Sequence, residues 1–313
     1  MPFYGNQVQT AKTLIDKFMS GTITYCMLLA QMQSGKSDTF MLVGCELVRM
    51  KRVKKFVVFS GNTEKELREQ ANTQDDFWVK YKSYLMEYEI KAIVEPEYRE
   101  LVADGMVSRA KESWSVLWSH DLKHHSPQEN TLYIWEESHY AQSASQRPDK
   151  FFRTCGLQPD GSEMDNGNLM LSVSATPFSE LINNHTQIQE KEVVRMTPGD
   201  GYIGIGEMLE NGQFFPFAKG LGKSRLSTLF PLLKDGVGLI RVSHITEKWV
   251  TEVCVEKDIP FVVYDQKWKG DDINTLLGSF TGVIMVKGKV RMGKQIEKHR
   301  LKWCMETVGV ANA

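Results

Sequence analysis

The run Ala30-Gln31-Met32-Gln33-Ser34-Gly35-Lys36-Ser37 brings a glycine turn, a lysine and a hydroxyl into one short span. A buried strand, Met27-Leu28-Leu29-Ala30, leads into it, and a helix is expected behind it from Thr39 to Met50. Strand, turn and helix in that order are what a phosphate needs. Backbone N–H groups surround it, and the helix N-terminus favours its negative charge. In this setting Gln33, Ser34, Gly35, Lys36 and Ser37 bind a nucleoside triphosphate. Lys36 neutralises the β/γ oxygens and Ser37 ligates Mg2+. The pattern GxxxxGK[ST] here opens with Ala30, which suffices if the chain leaves the strand without a positive φ.

A second constellation sits a hundred residues on. Thr131-Leu132-Tyr133-Ile134-Trp135 is an apolar strand that ends in Glu136-Glu137-Ser138-His139. Metal-assisted hydrolysis of a phosphoanhydride needs one carboxylate near Mg2+ and another to orient or deprotonate water. Two adjacent carboxylates at a strand's end supply both, provided that end lies beside the P-loop strand.

The elements around these residues alternate apolar runs with longer helical stretches, the pattern of an α/β protein with a largely parallel sheet. Further strands are expected at Phe56–Phe59, Leu169–Val173 and Lys191–Arg195, and a helix at Glu64–Asn72. Residues 75–127 have helical spacing with a weak strand around Tyr88–Val94. Trp78, Tyr81, Tyr84 and Tyr88 recur at that spacing and read as core. Gly156–Asn168 reads as a surface loop, and 197–223 as a glycine-rich hinge. A second α/β pattern follows, with strands at Val237–Val242, Phe261–Tyr264 and Val283–Val286 and helices at Thr246–Val255 and Asp271–Leu277.

Composition narrows the function. The chain has 313 residues, 42% hydrophobic and 25% charged, with a net charge of -1. It is not globally basic, so contact with a nucleic-acid backbone would come from local patches and amides. The run Lys51–Lys55 reads as a solvated loop. Five widely spaced cysteines with no CxxC pair indicate neither a disulfide framework nor a zinc site. His120, His124 and His125 lack partners at ligand spacing and read as a solvated loop. No long apolar run and no signal-peptide pattern are present, so an intracellular protein without a membrane span is expected, cytoplasmic or nuclear.

The order of motifs resembles that of superfamily two helicases and translocases of the DExH type, RecA-like P-loop ATPases. It is most like those encoded by viruses or phages. The P-loop is followed by Phe59-Ser60-Gly61-Asn62-Thr63 as motif Ia, Glu136-Glu137-Ser138-His139 as motif II, and Ser174-Ala175-Thr176 as motif III. The resemblance covers roughly residues 1–195. It implies ATP and Mg2+ as cofactors and DNA or RNA as partner. Glu136 takes the magnesium role, although the family usually has Asp there, and Glu137 activates water. His139, Ser174, Ala175 and Thr176 couple hydrolysis to domain movement. Ser60, Gly61, Asn62 and Thr63 touch the sugar–phosphate backbone without reading bases. Gln7 or Gln9 is a candidate adenine-sensing glutamine, with a surface glutamine the plainer reading of each.

The resemblance divides the chain into a RecA-like ATPase domain over 1–196, a linker over 197–230 and a partial second RecA-like domain over 231–313. Lys287–Gly293 resembles motif V. A rival alignment makes Arg291–Lys294 a degenerate motif VI, the source of an arginine finger. On the first alignment the chain is truncated and hydrolyses ATP poorly. The implied function is an ATP-driven helicase or translocase. A terminase-type packaging ATPase and a nucleotide-gated interaction module remain open.

Overall fold

Six short apolar runs form one parallel sheet: β1 (Tyr25–Leu29), β2 (Lys55–Phe59), β3 (Trp114–Leu117), β4 (Thr131–Glu136), β5 (Leu169–Ser174) and β6 (Glu192–Arg195). The structure is a computed structural model describing residues 3–31, 34–60, 75–138, 147–158, 164, 166–175, 192–202, 210, 222–288, 296 and 299–306. The strand order is β3-β2-β4-β5-β1-β6, and every adjacent pair is parallel. Both faces of the sheet are buried, as a parallel sheet requires. Alternate residues go to opposite faces: Cys26, Leu28, Phe56, Val58, Leu132 and Ile134 to one core, Tyr25, Val57, Phe59, Tyr133 and Trp135 to the other. A fully buried Leu, Val or Phe contributes about 1.5–3 kcal/mol, so the two layers together hold the sheet.

The first core is covered by α1 (Gly5–Met19) and α2 (Lys36–Arg49). Val8, Ala11, Leu14, Ile15 and Phe18 form the buried stripe of α1, at the spacing of one helical face. Nearly all of α2 is buried, from Thr39 to Val48. Its Gly44 lies so near β2 that a Cβ there would sit 2.5 Å from Phe56 Cδ2. Two further helices follow β2: α3 (Asp75–Tyr84) and α4 (Pro96–Glu112). Trp78, Tyr81 and Tyr84 of α3 are buried as expected, and Phe77 is buried with them. The buried Glu46 of α2 accepts from Tyr81 Oη at 3.0 Å and pairs with Arg49 at 2.7 Å. Burial pushes the Glu46 carboxyl up, and Arg49 pulls it back.

Three expectations fail in this region. The weak strand at Tyr88–Val94 is absent. A π-turn (Leu85–Glu89) stands there, closed by Ile90 N–H donating to Leu85 O at 2.9 Å. β-branched residues form strands only where a pleated surface receives them, and Val94 is 79% exposed. Tyr88 is accordingly exposed rather than core. The extra residue of the π-turn rotates it out of the buried stripe. The strand itself lies later, at Trp114–Leu117, paired with β2. His125 is not simply a solvated loop residue either, since its Nε2 lies 3.4 Å from Tyr133 Oη and burial lowers its pKa.

The loop ending at Asn168 closes on a buried residue. Asn168 Oδ1 accepts from Thr131 N at 2.9 Å and Nδ2 donates to Gln128 O at 2.8 Å, which ties the starts of β4 and β5. A helix α5 (Arg147–Cys155) packs Phe151 and Phe152 onto the second core. The helix expected at Glu64–Asn72 lies outside the described residues.

The chain splits into two compact units, Met1–Tyr202 and Ile203–Ala313. In the second, β7 (Val237–Arg241), β8 (Phe261–Tyr264), β9 (Gly282–Val286) and β10 (Leu301–Glu306) form a parallel sheet in the order β10-β7-β9-β8. Helices α6 (Gly222–Leu229), α7 (His244–Glu256) and α8 (Ile273–Ser279) accompany it. Leu226, Ile240, Val250, Cys254 and Met285 fill one core, and Ile273, Leu277, Ile284 and Val286 the other. β10 was not foreseen from the sequence. Among the described residues no helix is long and apolar enough to cross a membrane. The α/β class with parallel sheets holds for both units, and the order of strands around β1 and β4 is of the RecA-like kind.

Candidate nucleotide site

The strand–turn–helix around Lys36 is formed as its sequence requires. β1 ends at Leu29, Ala30 N–H donates to Ser174 O at 3.2 Å, and the chain turns into α2. Gly35 is the N-cap of α2 with φ 86°, a left-handed conformation that L side chains avoid by about 1–2 kcal/mol. A Cβ there would also collide with the Gln7 amide. Ser34 precedes it, buried, its Oγ donating to Gln31 O at 2.7 Å. Lys36 and Ser37 open the helix, both half-buried. Gln33 lies outside the described residues.

The carboxylate strand ends close by in the same sheet. β4 and β1 flank β5, with Glu136 in register with Val173 and Leu29 with Ser174. After Glu136 the chain turns through Glu137 at φ 52°. Ser138 N–H then donates to Val173 O at 3.1 Å, closing the turn onto β5. A left-handed conformation in a non-glycine residue costs of order 1–3 kcal/mol. Here it swings Glu137 toward the P-loop. Lys36 Nζ meets Glu137 Oε1 at 2.6 Å, with both side chains largely shielded from solvent.

Glu136 is left in a different state. Burial, and then the adjacent Glu137 carboxylate, push its carboxyl up to about 7, with Lys36 pulling the other way. Two carboxylates thus adjoin one lysine, and the buried one holds its proton into the neutral range. A divalent cation there would favour the ionised form of both. The donor set fits magnesium, which binds through one or two carboxylates, a hydroxyl and substrate phosphates. Among the described residues no group of three or more His, Cys, Asp or Glu gathers.

Other expected site residues fall in two groups. Ser174 and Ala175 lie at the end of β5, between the P-loop strand and the carboxylate strand, with Ser174 fully buried. Ser60 is buried at the end of β2, its amide donating to Leu117 O at 3.2 Å. Gly61, Asn62, Thr63, His139 and Thr176 lie outside the described residues, as does Arg291.

Gln7 corrects the surface reading. It is 1% exposed, and its Nε2 donates to Gly35 O at 3.0 Å and to Asp38 Oδ2 at 3.3 Å. Its Oε1 accepts from Tyr4 N at 2.8 Å. A sequence signal existed: Gln7 stands four residues before Ala11, on the buried stripe of α1. Gln9, by contrast, is exposed.

No family model matches the chain, and no curated protein matches it. Solved structures resemble it in outline. The yeast (S. cerevisiae) Dbp5 variant bound to Gle1 and IP6 is 8% identical, over 93% of this chain and 75% of that one, with a TM-score of 0.47. The Sulfolobus solfataricus SWI2/SNF2 ATPase core in complex with dsDNA is 10% identical, over 98% and 87%, at 0.42. The Pyrococcus furiosus Hef helicase domain is 11% identical, over 88% and 84%, at 0.40. At these scores the roles of residues rest on this chain's own geometry.

Proposed function

We propose that this protein is an ATP-dependent nucleic-acid helicase or translocase of the DExH type. Its RecA-like ATPase domain would span 1–196, followed by a linker and a second RecA-like domain. The observation that carries the reading is the 2.6 Å contact between Lys36 Nζ and Glu137 Oε1. It joins the P-loop to the acidic strand across a hundred residues of sequence. Lys36 moves from this carboxylate to the β/γ oxygens when a triphosphate arrives. Glu137, released from its ion pair, orients the attacking water and accepts its proton. Glu136 and Ser37 would hold magnesium, which would supply charge neutralisation at the phosphates. Ser174 and Ala175, placed between the two strand ends, feel any shift of either. A nucleic acid, DNA or RNA, is the partner that the order of motifs implies.

Glu137→Gln tests this. It keeps ATP and magnesium binding and slows turnover by about 10²–10⁴-fold, the usual contribution of a positioned base. Glu136→Gln instead raises the magnesium requirement. Nucleic-acid-stimulated phosphate release, measured alongside fluorescent ATP-analogue binding, reads both. Unchanged turnover in Glu137→Gln rules the assignment out.

A further inference from the structure

The grip on Gly35 does not end at Gln7. Gln7 Nε2 has two hydrogens, and Gly35 O and Asp38 Oδ2 take one each. Asp38 lies on the first turn of α2, and its Oδ2 also accepts from Lys80 Nζ at 2.8 Å. Lys80 comes from α3, forty-two residues further along the chain. A continuous polar chain therefore runs Lys80, Asp38, Gln7, Gly35. Its partners fix the orientation of the Gln7 amide. A carbonyl and a carboxylate accept only, while the Tyr4 N–H donates only. Flipping the amide would set oxygen against oxygen at two contacts and N–H against N–H at the third.

We propose that Asp38 and Lys80 are positioning residues for the phosphate-binding loop. Their ion pair aims the Gln7 amide at the Gly35 carbonyl and holds the loop in the form that receives phosphates. This rests on the nucleotide-binding reading above. Asp38 alone has another role open to it, since a negative charge in a helix's first turn offsets the helix dipole. Lys80 has no such role. It lies on another helix and, among the described residues, reaches the loop through Asp38 and Gln7, so its substitution isolates the positioning effect.

The measurements are affinity for a fluorescent ATP analogue with magnesium, and KM and kcat for ATP. They are made on the wild type, Lys80→Ala, Lys80→Gln, Lys80→Arg, Asp38→Asn and Lys82→Ala. Lys82 sits on the same helix and pairs with Asp104 at 2.8 Å, so it controls for general loosening of α3. Loss of a charge-assisted contact predicts analogue affinity weakened, and KM raised, by about threefold to tenfold in Lys80→Ala, Lys80→Gln and Asp38→Asn. The kcat stays within about twofold, and Lys80→Arg recovers most of the loss. Lys82→Ala matches the wild type. If Lys80→Ala and Lys80→Gln bind the analogue as the wild type does, the pair has no positioning role. An equal loss in Lys82→Ala also overturns it, because packing of α3 would then be responsible. A wild type that binds no analogue overturns the nucleotide reading itself, and the pair's role with it.

Discussion

In the first unit β1 passes into α2 through Gly35, left-handed and without a side chain to cap the helix. In the second, β7 passes into α7 through Ser243, whose Oγ accepts from Thr246 N at 3.1 Å while Thr246 Oγ1 accepts from Ser243 N at 2.7 Å. Both are strand-to-helix turns in parallel sheets. One meets its helix's N–H demand from within; the other presents a bare glycine turn. The strand ends differ in the same sense. Glu136 and Glu137 share Lys36, whereas Arg241 pairs with Glu306 at 3.2 Å and Lys287 with Glu247 at 2.5 Å. One architecture thus carries one end where two carboxylates adjoin a lysine and a second where Arg241 and Lys287 each meet a carboxylate of their own. The difference lies in a handful of residues, not in the fold.

The sharpest way to break this contrast is at Gly35. Gly35→Ala forces a side chain onto a left-handed residue and against Gln7, and weakens affinity for a fluorescent ATP analogue by about tenfold to hundredfold. Affinity like that of the wild type would show that the turn's shape is incidental.

Of similar size is a pH effect on the metal-free protein. The Glu136 carboxyl stands at about 7 in the fold against an ordinary 4.5. The folded state therefore holds its proton longer than the unfolded chain does, and stability falls as pH rises from about 4.5 through about 7. At 1.36 kcal/mol per pH unit the loss is at most about 3–4 kcal/mol. Glu136→Gln removes this slope, so urea midpoints at pH 5 and pH 8 converge more in the variant than in the wild type. A slope that survives the substitution places the strain elsewhere.

The smallest effect belongs to the second unit. Ser243→Ala costs about 1 kcal/mol of stability through the lost cap and leaves analogue binding unchanged. A change in nucleotide affinity would mean that the two turns are less distinct in role than their geometry indicates.

The strand, turn and helix around Lys36 and the acidic strand were legible because their signals are local. Glycine, lysine and serine stand together, and two carboxylates follow four apolar residues. What escaped depends on partners distant in sequence. Trp114–Leu117 is four residues at the end of a long helix, and becomes a strand because β2 is there to pair with it. Leu301–Glu306 alternates charge with apolar residues too weakly to stand out, and is fixed by β7. Gln7 looked like surface because it is polar, yet it lies on the apolar stripe of α1 and its amide is fully used by the chain itself. Tyr88 was misread as core for want of any sequence sign of the π-turn before it.

The missing side chain at Gly44 makes α2 behave as a lever. Lys36 begins that helix and Gly44 stands eight residues along it, about 12 Å away at 1.5 Å per residue. Because Phe56 fills the space a Cβ would need, the helix bears on the sheet at this point as on a fulcrum. A methyl group there would lift the rod off β2, and the tilt would appear at the Lys36 end as a displaced ammonium. A substitution deep in the apolar layer, in contact with no ligand, would thus be read out in the aim of the lysine.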